Sequence, residues 1–87
     1  MDLQELRKEI DTIDDQIVRL FCQRMDVSAK IGAYKKARNL PVFVPEREQA
    51  KLSDVSSKAT PGMEQAVQEL YSRIFQLSRG IQDEVTP

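Results

Sequence analysis

The sequence contains no histidine and no tryptophan, and it has a single cysteine and few aromatics, 6% of its 87 residues. Without histidine the commonest general base is missing, which excludes nucleophilic triads and imidazole-mediated proton transfer. A lone Cys22 cannot form an internal disulfide, and one thiol with no imidazole leaves no zinc or haem ligand set, so no metal or other cofactor is expected. No apolar run approaches the ~18 residues of a membrane span, and neither a charged-then-apolar leader nor a lipidation motif is present. The expectation is a soluble, unexported, cytoplasmic protein. Thirteen basic residues against 14 acidic ones give a formal net charge of −1, so no global field draws in nucleic acid or an anionic membrane, and any anion site must be local.

What is present is a long periodic stretch, Asp2 to Arg38. Leu3, Leu6, Ile10, Ile13, Ile17, Leu20, Arg24, Val27, Ile31 and Tyr34 follow one another at alternating steps of three and four, one stripe of a single helix with no proline inside it. The exception in this stripe is Arg24, a permanently charged group where the pattern asks for an apolar one. A helix of this length is about 55 Å long, whereas a compact domain of this size is only about 30 Å across. The rod therefore overhangs its own chain. Its apolar stripe needs a second surface, and the same helix from a second copy, related by a two-fold axis, is the cheapest. An obligate homodimer follows, which also suits a single domain over residues 1–87 that is too small to bury a generous core alone.

Asn39 and Pro41 break the periodicity, so Arg38 to Val44 reads as a loop. Pro45 suits a first helical position, and a second helix is expected from there to about Ser57, with Leu52, Val55 and Ala59 on its buried side. Val44 then stands at the cap position without a side-chain oxygen, at a cost of about 1 kcal/mol. Thr60 and Pro61 read as cap and first position of a third helix. Its stripe of Met63, Val67, Leu70, Ile74, Leu77, Ile81 and Val85 is suited to packing on the long helix. Gly80 interrupts it and offers a place for close approach of a helix or ligand. The fold class is all-α, with three helices per chain (long, short, medium) in an intertwined helical homodimer.

Arg24 and Lys35 lie about 20° apart around the long helix and about 16 Å apart along it, so both side chains can converge on one small anion. Arg7 is some 25 Å before Arg24 and about 100° round, too far to join them within one straight helix. In an antiparallel dimer the second copy's Arg7 can reach the site instead. Arg47 and Glu48 fall in the first turn of the second helix, beside backbone N–H groups that favour an anion. Gln82, beside Ser78, adds a neutral donor or acceptor. Fixed cations, one carboxylate and an amide, with no activated nucleophile, suit binding of a compact dicarboxylate and electrostatic catalysis by preorganised charge.

The segment LRKEIDTIDDQIVRLFCQRMDVSAKIGAYKK, the Pro41-Val42 loop, PERE at 45–48 and IFQLSRGIQ at 74–82 together resemble the all-helical (AroQ class) chorismate mutases across nearly the whole chain. The resemblance implies an intertwined helical dimer that converts chorismate to prephenate, a [3,3] rearrangement in aromatic amino acid biosynthesis that needs no cofactor. By position, Arg7 of the partner subunit and Arg24 grip the two carboxylates, Lys35 donates to the ether oxygen, Arg47 supports the carboxylate cluster and Glu48 accepts from the ring hydroxyl. Two departures stand out. The family commonly has Asp where this chain has Val44. It also usually has Gln or Glu as second donor to the ether oxygen, where ungapped correspondence puts Thr86 and Gln82 falls one turn earlier. These departures imply modest efficiency rather than inactivity.

Two other readings stay open. The PVFVPER loop, with a non-acidic residue before Pro45, also fits isochorismate pyruvate-lyase, which resembles this family in fold. A non-catalytic regulatory or dimerisation module of an aromatic-pathway enzyme would use the same helices, but it has no reason to place Arg24 in its seam.

Overall fold

The computed structural model describes residues 1–84. They form α1 (Leu3–Ala37), α2 (Pro45–Lys58) and α3 (Glu64–Glu84), three helices with no strand among the described residues. α1 begins where Asp2 caps it by accepting from the Glu5 N–H at 2.8 Å, one of the orphan first-turn donors. It ends at Ala37 with Arg38 as the cap, and Asn39, at φ 55°, turns the chain out of the right-handed helix. There the Asn39 and Leu40 N–H groups donate to the Lys36 and Lys35 carbonyls at 3.2 and 2.9 Å. Asparagine tolerates this left-handed backbone better than most residues, which explains a helix stop without glycine.

α2 starts as expected at Pro45, and Val44 supplies no side-chain cap. Its backbone carbonyl accepts from Arg47 and Glu48 at 3.1 and 3.2 Å. At its far end the Asp54 carboxylate takes Lys58 at 3.0 Å and Lys51 at 3.3 Å, and these hydrogen bonds, Lys58 first, hold its carboxyl below the ordinary value of 3.8. The start of α3 differs from the sequence expectation. Thr60 and Pro61 open a turn closed by the Met63 N–H on the Thr60 carbonyl at 2.9 Å, and Gly62 adopts φ 94°. A proline followed by a positive-φ glycine is turn chemistry, and such a glycine cannot continue a right-handed helix. The helix therefore waits until Glu64, whose carboxylate reaches back to the Gly62 N–H at 2.9 Å.

α3 is the central element: it packs on α1 and on α2, while α1 and α2 do not pack on each other. The α1–α3 seam runs through Met25, Ser28 and Gly32 of α1 and Phe75 and Ser78 of α3, all buried. Of the predicted α3 stripe, Val67, Ile74 and Ile81 are half-buried, while Met63, Leu70 and Leu77 are exposed in one chain; Val85 lies outside the described residues. The expected role of Gly80 is corrected. A Cβ there would meet nothing within 4 Å, whereas one on Gly32 would sit 2.8 Å from the Gln82 Cα and 2.9 Å from its carbonyl oxygen. Close approach belongs to Gly32, where the obstacle is backbone and cannot swing aside. Gly32→Ala should therefore lose stability despite its better helix propensity, because overpacking costs about 1–3 kcal/mol against about 1 kcal/mol gained. Thermal unfolding checks this, and an unchanged or higher Tm would contradict it.

Within one chain the long stripe of α1 is left uncovered: Ile10, Ile13, Ile17 and Leu20 are each more than half exposed. The chain measures 54 × 26 × 14 Å with a radius of gyration of 16.1 Å, against about 12 Å for a compact domain of its length. Among the described residues no helix is long and apolar enough to cross a membrane.

Candidate active site

Where α3 meets the C-terminal third of α1, the 38–44 loop and α2, the four segments line an open cavity of about 700 Å³, within the range of small-molecule sites. Arg24, Lys35, Val44, Arg47, Glu48 and Gln82 all line it. The helical arithmetic that put Arg24 and Lys35 on one face thus brings them to one cavity. Arg7 does not line it; it lies on the exposed N-terminal half of α1. Thr86 lies outside the described residues.

Each group is held by local structure. The Arg24 guanidinium sits 5.9 Å from the Tyr71 ring centroid and 6.0 Å from that of Phe75, and it makes no ion pair among the described residues. Aromatic rings stabilise its charge without neutralising it, so it stays available to an anion. Lys35 donates to the Val42 carbonyl at 2.8 Å. That bond ties the loop to α1 and leaves two ammonium protons free for a ligand. Deeper in the seam, Ser28 Oγ and Ser78 Oγ are 2.7 Å apart and buried. Gln82 Nε2 lies 3.4 Å from Ser78 Oγ, while its buried Oε1 has no partner. Rotating that carboxamide by half a turn lets Ser78 donate to its oxygen and puts Nε2 in the unpartnered place, where it needs an acceptor of its own.

Sequence reasoning missed Arg79. Its Nη1 donates to both Glu48 oxygens at 2.6 Å, and its guanidinium lies 4.9 Å from the Phe43 ring centroid. Its place three residues before Gln82 was a usable signal, because those positions share a helix face. Nothing in the sequence pairs it with Glu48, which is 31 residues away. The Lys51–Asp54–Lys58 cluster also borders the cavity, so cations outnumber carboxylates around it.

Residues 6–83 match the family model for chorismate mutase type II. The chain belongs to this family. Among curated proteins it is similar to the bifunctional chorismate mutase/prephenate dehydratase of Aquifex aeolicus, 53% identical over 47 residues, a match covering 54% of this chain and 13% of that one. The chain thus spans a small part of that relative's length. Among solved structures it is similar to chorismate mutase from Thermus thermophilus, 28% identical with a TM-score of 0.89 and 93% of each chain covered. A Helicobacter pylori chorismate mutase in complex with prephenate is also 28% identical, with a TM-score of 0.85 over 95% of this chain and 91% of that one. The all-α, three-helix fold expected from the sequence agrees with these neighbours.

Proposed function

We propose that the chain is a chorismate mutase, converting chorismate to prephenate in the cytoplasm, with residues 1–87 as one mutase domain that pairs with a second copy. The observation that carries this reading is the convergence of Arg24, Lys35 and Arg47 with Glu48 and Gln82 on one cavity, in a chain of the chorismate mutase type II family. In the rearrangement the ether C–O bond breaks as a C–C bond forms, with no net proton transfer, so the site has only to fold the substrate and stabilise separating charge. Arg24, supported by Arg47 and joined by Arg7 of the partner subunit, grips the two carboxylates and selects the reactive diaxial conformer. Lys35 donates a hydrogen bond from one of its free N–H groups to the ether oxygen as negative charge develops there, and Gln82 Nε2, in the rotated orientation, is the second donor. Glu48 accepts from the ring hydroxyl. Holding the conformer and stabilising one oxyanion can together supply about 8 kcal/mol of barrier lowering.

The dimer is supported by the uncovered stripe of α1 and by the 6843 Å² of surface that one chain exposes, against about 5,200 Å² for a folded monomer of this mass. The decisive assay follows chorismate absorbance with purified protein and identifies the product. Loss of chorismate with formation of prephenate is expected. Persistence of chorismate while isochorismate yields pyruvate would replace the mutase reading by the lyase one, and inertness toward both would mark the charged seam as structural.

A further inference from the structure

Glu48 poses a problem for a site that binds a dianion. Its carboxylate faces the same cavity as Arg24, Lys35 and Arg47, and an uncancelled negative charge in the cavity that takes the substrate's carboxylates would weaken their binding. The other carboxylate on the cavity, Asp54, is already held by Lys51 and Lys58 of its own helix. Glu48 makes no ion pair within α2, where Lys51, three residues on, is taken by Asp54. Its partner comes from α3, where Arg79 Nη1 contacts both oxygens at 2.6 Å and the two side chains are only 31% and 23% exposed. Arg79 is itself fixed by the Phe43 ring at 4.9 Å, on the loop that Lys35 holds through Val42. Val44 cannot share the work of Glu48, because it has no hydrogen-bonding side chain.

We propose that Arg79 is the positioning residue for Glu48, fixing the carboxylate for the ring hydroxyl of the substrate while cancelling its repulsion of the substrate's two carboxylates. This rests on the mutase reading. One guanidinium nitrogen occupies only part of the acceptor capacity of a carboxylate, which has about four lone-pair sites, so a hydroxyl can still donate to Glu48. Arg79 acts on the ground state, before charge separates, so its loss falls on KM more than on kcat.

The test is a double-mutant cycle in kcat and KM for chorismate, with circular dichroism on every variant. Arg79→Met should raise KM about tenfold and change kcat less than about threefold, whereas in the Glu48→Gln background the same substitution should move KM less than about threefold. Arg79→Lys, which keeps the charge, should recover most of the loss. Should Arg79→Met fail to fold, Arg79→Gln takes its place in the cycle with the same expectations. A fall in Tm with KM unchanged would reduce the pair to a structural tie between α2 and α3 and overturn the proposal. An equal rise in KM in both backgrounds would also overturn it, because Arg79 would then contact the substrate directly. Wild-type protein that turns over no chorismate would remove the mutase reading and this proposal together, an outcome distinct from active wild type without coupling.

Discussion

Lys35→Ala should lower kcat/KM for chorismate by about 10²–10³-fold, the loss typical of removing one donor to a developing oxyanion. The ammonium is tethered to the Val42 carbonyl at 2.8 Å, so it is oriented before substrate arrives and needs no reorganisation as the C–O bond breaks. Most of the loss should appear in kcat, since charge on the ether oxygen exists only in the transition state. Part of it reflects the loop, which loses its tie to α1 together with the donor. Lys35→Arg separates the two contributions: a guanidinium can still reach the Val42 carbonyl but presents its protons in a planar fork, so it should restore the loop more fully than the rate. Steady-state kinetics and circular dichroism on both variants check this. A kcat/KM for the alanine variant within about threefold of wild type would remove Lys35 from the chemistry.

Replacing Ile13 and Ile17 together by Glu should abolish the folded dimer. In one chain these side chains are 53% and 57% exposed, and Met25 and Phe75 are the only buried hydrophobic residues among those described. A core of that size cannot offset the conformational entropy of ordering three helices. Fully burying an isoleucine contributes about 1.5–3 kcal/mol, and the double substitution removes four such side chains from a dimer while placing four charges in its seam. The loss is comparable with the about 5–15 kcal/mol of stability of a typical protein. Sedimentation and circular dichroism should show a dimer for the wild type and an unfolded or monomeric, inactive chain for the variant. Wild-type protein that sediments as a folded 10.0 kDa species would refute the dimer, and with it the contribution of Arg7 of the partner subunit.

The sequence alone determined the first two helices and one face of the cavity. The threes and fours from Leu3 to Tyr34 placed a single rod across positions that fold as α1, Leu3–Ala37, and Pro45 marked the start of α2. Arg24 and Lys35 could be assigned to one cavity because their relative position depends only on the 100° turn per residue of one helix, which is local geometry. Arg47 and Glu48 followed from their place in a first turn. The start of α3 was misplaced because Thr60 and Pro61 suit both a helix cap and a turn, and Gly62, with its positive φ, settles the choice. What only the tertiary structure decided lies between helices. The packing face of α3, the seat of Gly32 on the Gln82 backbone, the Ser28–Ser78 contact and the pairing of Arg79 with Glu48 depend on the rotation and distance at which two helices meet. Side-chain volumes summed over the whole seam set those two quantities, and no spacing within one helix encodes them.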